Sequence, residues 1–292
     1  MRWLLFFLPV LLCAADLRID HATVAGRDLK RMVAALEAAG IPMVYGGPHA
    51  NGVTEMSLCS FPDGSYLEAI APIPNADPKK VDRHEWAPFL KQDAAACAWA
   101  TRSDDLKADA ARLQKAGIAV SAPVNAGRRR PDGVRLEWAT ADLGNGQRGG
   151  LLPFLIQDFT PRDLRAYPQG KPTTSEFAGL DAVVIAVRDL DAAVAEYRKA
   201  FGLPAASLDV DHAFDARLAR MPGAPVILAQ PLTAESWIGR RLERFGEGPC
   251  AFLLRATRDR KTSATSRWFS NPIAWFDEAR LGWRLGVVAP RN

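Results

Sequence analysis

The chain has 292 residues, 48% hydrophobic and 24% charged. That is the balance of a globular protein able to bury two cores of roughly 130 residues each, and it excludes a disordered or fibrous chain. A formal charge of +4, with no basic stripe interleaved with aromatics, gives no footing for a nucleic-acid partner, and the Arg128-Arg129-Arg130 triple is too local to supply one.

The first element in chain order is Met1–Ala15. Arg2 is a positive start, Trp3 to Leu12 is apolar apart from Pro9, and Cys13-Ala14-Ala15 offers small residues for cleavage. This is the pattern of a secretory signal peptide removed after Ala15, and it is shorter than the roughly 20 residues that span a bilayer. A lipoprotein reading through Cys13 is weaker, because Leu12 stands where a small residue belongs. The expectation is a secreted or periplasmic protein that keeps no membrane attachment once the leader is gone.

Ile19–Ala25 reads as a strand, and Asp28 then caps a helix whose Met32, Val33, Leu36 and Ala39 form one apolar face up to Gly40. Three strands follow at Met43–Tyr45, Thr54–Phe61 and Ser65–Ile70, the last two joined by the turn Pro62-Asp63-Gly64. Residues 72–95 connect to a second βαβββ unit and carry HEWAPFL, a short helix. In that unit Ala96–Thr101 is the strand, Asp104 or Asp105 caps a helix ending at Gly117, and Val120–Pro123, Gly133–Ala139 and Leu151–Phe159 are the later strands. The Pro- and Gly-bearing stretch 161–178 reads as a linker. A third unit runs from Leu180 to about Leu232. The fourth, from about Pro249 to Ala289, is degenerate. It has a CAFLL strand, a polar KTSATSR stretch where a helix would fall, and strands near Ile273–Phe276 and Leu285–Val288.

The units repeat in wording as well as in plan. IDHATVAGRDLKRMVAALEAAGI at 19–41 is echoed by CAWATRSDDLKADAARLQKAGI at 97–118, with Asp28-Leu29 matching Asp105-Leu106 at an offset of 77, and again by LDAVVIAVRDLDAAVAEYRKAFGL from Leu180. Repeats of this length suggest a fold built by duplication. The words IDHATVAGRDL, FPDGSYLEAI (61–70), GRRRPDGVRLEWAT (127–140) and GGLLPFLIQDF (149–159) together resemble the vicinal oxygen chelate superfamily (the bleomycin resistance/dioxygenase-type fold) and, within it, the glyoxalase-like domain family. The resemblance implies an α+β fold of four βαβββ modules paired into two domains with curved, cup-like mixed sheets. Residues 16–160 would be the glyoxalase-like domain (modules 1 and 2), 161–178 the linker, and 179–292 a divergent second domain (modules 3 and 4). Modules of this kind pair within or between chains, so a homodimer is open.

It also implies a site. The superfamily often places a metal-binding His on a first strand and a Glu on a last strand; here these are His21 and Glu68, expected as metal ligands, as catalytic groups, or both. Imidazole and carboxylate suit Zn, Fe, Mn, Co or Ni. The companion module departs from the pattern: Ala98 matches His21, and Gln157 stands where Glu is usual, a poor third ligand. His49 or Glu55 is the alternative to it. Arg128, Arg130 and Trp138, with His49, are the candidate substrate-binding residues, since an Arg fork suits an acidic substrate; the alternative for each Arg is a solvated turn. In the second domain Ala182 replaces His21, PVILAQP brings no carboxylate, His212 reads as a surface residue, and Trp268, Trp275 and Trp283 read as core packing. Two functions stay open. One is a metal-dependent lyase or isomerase acting on a small oxygenated or acidic molecule. The other is a metal-free protein that binds and sequesters such a molecule. No GxSxG, P-loop, GxGxxG or HExxH motif supports other chemistry. Cys59, Cys97 and Cys250 read as buried thiols, with a Cys59–Cys97 disulfide left open.

Overall fold

A computed structural model describes residues 17–258 and 266–290. The leader and most of the KTSATSR stretch lie outside the described residues.

The first half is β1 (Ile19–Ala25), α1 (Leu29–Ala38), β2 (Val44–Pro48), β3 (Thr54–Ser60), β4 (Tyr66–Pro72), the short helices α2 (Pro78–Asp82) and α3 (Ala87–Leu90), then β5 (Ala95–Arg102), α4 (Leu106–Lys115), β6 (Val124–Arg129), β7 (Arg135–Ala141) and β8 (Phe154–Asp158). After α5 (Arg162–Ala166), the second half is β9 (Phe177–Ala186), α6 (Leu190–Phe201), β10 (Ser207–Asp211), β11 (Ala216–Arg220), β12 (Val226–Pro231), α7 (Trp237–Phe245), β13 (Gly248–Ala256), β14 (Ser266–Trp268), β15 (Asn271–Trp275), α8 (Glu278–Leu281) and β16 (Arg284–Val288). Each half folds into one curved eight-stranded mixed sheet. The strand order is β2-β3-β4-β1-β5-β8-β7-β6 in the first and β10-β11-β12-β9-β13-β16-β15-β14 in the second, the same path twice.

The repeated Asp-Leu step does the same work each time. Asp28, Asp105 and Asp189 accept from the backbone N–H three residues on, at 3.0, 3.0 and 2.9 Å, and so cap α1, α4 and α6. Between the two aspartates offered by the sequence, Asp105 is the cap. Gly40, Gly117 and Gly202 follow these helices at φ of +82°, +75° and +64°, where a residue with a Cβ is strained. The buried faces (Leu29, Met32, Leu36; Leu106, Ala110, Leu113; Leu190, Ala193, Tyr197) pack on the outside of the sheets.

Three differences from the sequence expectation matter. The β6 strand starts after Pro123, at Val124, while Val120 makes only an isolated bridge to Leu143; Pro lacks the N–H that a ladder needs. Arg128 therefore sits in a strand, not in a solvated turn. The stretch read as a linker contains α5, which packs against the first sheet. Third, β1 and β9 each carry a one-residue bulge against β5 and β13. Ile19 faces Thr101 while His21 faces Ala100, and Leu180 faces Leu254 while Ala182 faces Leu253, leaving Asp20 and Asp181 as the extra residues. A bulge breaks the two-residue alternation and turns a side chain to the other face.

The Gly-Gly of the fourth word has a steric cause. Gly149 lies against β5 so closely that a Cβ would come within 2.9 Å of both Trp99 N and Trp99 O.

Candidate active site

The concave face of the first sheet encloses a cavity of about 260 Å³. β1 contributes His21, β4 contributes Tyr66 and Glu68, the β2–β3 turn contributes His49, the segment before α3 contributes His84, Glu85 and Trp86, and β6, β7 and β8 contribute Arg128, Trp138 and Phe154. Three of the chain's four histidines converge here.

The bulge makes the site. It turns Asp20 to the same side as its neighbour, so that His21 Nδ1 lies 2.6 Å from Asp20 Oδ1. With Nδ1 engaged, Nε2 is the ring nitrogen left for the cavity. The imidazole is stacked on Tyr66, with ring centres 4.9 Å apart, and bounded edge-on by Phe154 at 5.4 Å. Asp20 is fully buried. Arg165 grips it with both terminal nitrogens, each at 2.9 Å, and Arg162 adds a further contact. Arg165 also holds both oxygens of Asp158, at 2.6 and 2.8 Å, and donates to Tyr66 Oη at 2.7 Å. Two carboxylates and two guanidiniums thus balance in a cluster in which Arg162 Nε alone among their side-chain polar atoms is buried without a partner, close to the condition for burying charge without a large loss. Burial alone would raise the Asp20 carboxyl, but Arg165, His21 and Arg162 outweigh it and hold it well below the usual range. Burial pushes the Tyr66 phenol up, so it keeps its proton while accepting from Arg165.

Glu68 is the second anchor. Thr23 Oγ1 donates to its Oε2 at 3.0 Å, and His49 Nε2 is 3.6 Å from its Oε1. Burial opposes ionisation, yet His49, His21 and Thr23 bring the carboxyl down to about 2. His49 is itself oriented by Thr54 Oγ1, 2.8 Å from Nδ1. Opposite stands Arg128, 7% exposed. Its Nη1 donates to Gly46 O, while its Nη2 is buried without a partner. An unpaired buried donor is costly, and here it belongs to a cation on the wall of the cavity. Arg148 lies over the Phe154 ring at 3.8 Å and pairs with Asp142.

Of the residues singled out in the sequence, His21, Glu68, His49, Arg128 and Trp138 meet at this cavity. Arg130 and Gln157 do not. Arg130 is occupied by Asp132 and by the carbonyls of Leu164 (2.8 Å) and Pro168 (2.6 Å), tying down the segment around α5. The Gln157 amide accepts from Leu106 N and donates to Asp104 O, both at 3.0 Å, at the start of α4. Glu55 bonds to Tyr45 Oη at 2.7 Å, off the cavity. Sequence reading passed over Asp20, Tyr66, Arg162, Arg165 and the His84–Trp86 group. The clustering of histidines before residue 85 was a usable signal for His84; nothing local marks the arginines of α5. As the side chains stand, a metal does not fit: among the described residues no group of three or more His, Cys, Asp or Glu is placed to hold one. Cys59, Cys97 and Cys250 are free and buried.

The glyoxalase-like domain family matches residues 19–201, more than half of the chain, and the protein belongs to that family. Among solved structures, a hypothetical protein from Staphylococcus aureus is similar over 94% of this chain and 99% of its own, at 14% identity and a TM-score of 0.66; it shares the fold through both halves. A methylmalonyl-CoA epimerase from Mycobacterium tuberculosis (25% identity, 41% of this chain and 92% of that one, TM-score 0.35) and a mutant 4-hydroxymandelate synthase from Streptomyces coelicolor (15% identity, 84% and 72%, TM-score 0.49) also match. Among curated proteins none matches.

Proposed function

We propose that the first cup takes a small oxygenated molecule bearing a carboxylate and that His21 moves a proton on it, in lyase or isomerase chemistry. The observation that carries this reading is Arg128, a buried cation with an unpartnered Nη2 on the wall of the same cavity as His21 and Glu68. A ligand carboxylate satisfies that donor, and Trp138 and Phe154 offer flat apolar walls. His21 Nε2, with the ring set by Asp20, accepts a proton from the carbon next to a carbonyl, and the Tyr66 phenol is a donor for the oxygen on which charge develops. Returning that proton to the same or a neighbouring carbon completes an isomerisation. Expulsion of a leaving group from the adjacent carbon completes an elimination. Glu68, ionised at any physiological pH, is no proton donor; it holds His49 and accepts from Thr23.

The divalent metal implied by the family resemblance would call on His21 and Glu68. Because among the described residues no group of three or more His, Cys, Asp or Glu is placed to hold a metal, no step is assigned to it. The same observation favours a second reading, metal-free binding and sequestration. Three measurements separate these readings. A thermal-shift panel of 2-oxo and 2-hydroxy carboxylates against their esters should show stabilisation by the acids alone, about 10- to 100-fold weaker in Arg128→Ala. For each ligand, exchange of its α-proton in D2O marks an enzyme and binding without exchange marks sequestration. Near-stoichiometric metal in the purified protein, absent from His21→Ala, would restore the metal centre. We also propose export through the Met1–Ala15 leader; a secreted or periplasmic chain beginning at Asp16 is the expected result of N-terminal sequencing.

A further inference from the structure

A second cavity, about 370 Å³, lies between the two halves. The starts of β1 and β9 form one side (Leu17 to Ile19, Leu180 and Asp181), and Arg102, Arg220 and Arg255 reach in from the ends of β5, β11 and β13. Arg102 and Arg255 are the same position used twice: Thr101 faces Ile19 and Leu254 faces Leu180, and each arginine is the next residue. The internal repeat thus brings two equivalent guanidinium groups to one cleft, and Arg18 and Arg220 join them.

The charges in the cleft do not cancel. Four arginines and two carboxylates, Asp63 and Asp181, line it, and Arg18 is also paired with Asp104 at 2.6 Å. Asp63 spends Oδ1 on Ser65 N and Oγ, at 2.8 and 2.6 Å. Asp181 accepts from Arg255 Nε at 2.9 Å. Arg102 donates Nη2 to Asp63 O at 2.9 Å, but its Nε is buried without a partner. Arg220, half-buried, makes no ion pair among the described residues. Burial, and after it the repulsion of Arg162, makes the Arg102 cation harder to hold than usual, against the pull of Asp20 and Asp63.

We propose that this interdomain cleft binds a phosphate group, free or as a monoester. With Arg18 paired to Asp104 and Arg255 to Asp181, the Arg102 and Arg220 cations against the single Asp63 carboxylate leave a net positive charge for an anion. Guanidiniums arriving from β5, β11, β13 and the segment before β1 suit a tetrahedral set of oxygens better than a planar carboxylate. The site is separate from the first cup and does not rest on the function proposed for it. Because its ligands come from both halves, occupancy ties the halves together and stabilises the whole fold by mass action.

The test is calorimetric titration of the purified protein with inorganic phosphate, and separately with glycerol phosphate, at ionic strength held constant with chloride. The expected result is saturable one-to-one binding, on the order of tenfold or more weaker in Arg220→Ala, partly recovered in Arg220→Lys and unchanged in Arg128→Ala. Arg220 carries no ion pair, so the ligand-free melting temperature of Arg220→Ala should match the parent. Arg255→Ala is the second variant should it not. Absence of saturable binding to either probe overturns the proposal. So does binding that survives both substitutions, or that is lost in Arg128→Ala, which would put the anion in the first cup. Tighter binding of inorganic phosphate marks the free ion as the ligand; tighter binding of glycerol phosphate marks a monoester.

Discussion

The two cups follow one topology and end in opposite states. Where β1 carries His21, β9 carries Ala182; by the same register Thr23 becomes Val184 and Glu68 becomes Ile227. Into the space so vacated, the second half packs Phe214 against Trp268, Trp275 and Trp237, with ring centres 4.6, 5.2 and 4.9 Å apart. Arg284 lies over Trp237 at 4.2 Å. Indole N–H groups find Asp211, Ser266 and the Phe214 carbonyl at 2.7 to 3.0 Å. The inward side chains decide how polar such a cup is: beside this aromatic packing a pocket of about 340 Å³ remains, lined by Ile227, Leu253, Trp268 and Ile273. The apolar filling needs only shape. The polar interior of the first half persists because nearly every charge in it has a partner, and the exception, Arg128, marks where a ligand belongs.

The comparison can be broken most severely at the bulge. Asp20→Ala leaves Arg165 and Arg162 with Asp158 as their one carboxylate and should cost about 3–5 kcal/mol in urea unfolding, while Asp181→Ala, whose partner Arg255 keeps contact with water, should cost about 1–2 kcal/mol. Equal losses would mean that the Asp20 cluster has no special role. Trp268→Ala empties a fully buried site in the second cup and should cost about 3–4 kcal/mol. Trp138→Ala, on the wall of a space already open, should cost about 1 kcal/mol and show mainly in ligand affinity. A further effect is pH-dependent. The folded Glu68 carboxyl, at about 2, lies below its ordinary value of 4.5, a difference worth at most about 3 kcal/mol. A lowered carboxyl stabilises the fold above its ordinary value and loses that contribution as the pH falls toward the folded one. The stability gap between the parent and Glu68→Gln should therefore be full above about pH 5 and close toward pH 2. A gap that widens on acidification would refute the assignment.

The modular plan was legible because its signals are local: an Asp-Leu cap, an apolar helical face, a glycine at the end. The pairing of His21 with Glu68 was legible from the family words. The Asp20 dyad was not, since simple alternation puts Asp20 and His21 on opposite faces and only a partner strand reveals a bulge. Nor was the role of Arg165, which is 145 residues from Asp20 in sequence and lies in a stretch with the composition of a connector. Arg128 and Arg130 look alike by parity, but β6 ends at Arg129, so one arginine turns inward and the other ties down the α5 segment.

The bulges also bear on ancestry. Inserting one residue into a strand sends everything beyond it to the opposite face, so acquiring the same insertion twice, at the same rung and with the same residue type, would have required two matched rescues of the core. Asp20 and Asp181 are more simply one inheritance. The half-molecule that duplicated already carried a buried aspartate in an extra residue, and what separated the descendants was its neighbour. Where that neighbour is histidine, the old irregularity became the support of a site; where it is alanine, it survives as a vestige beside a cup lined by apolar and aromatic side chains.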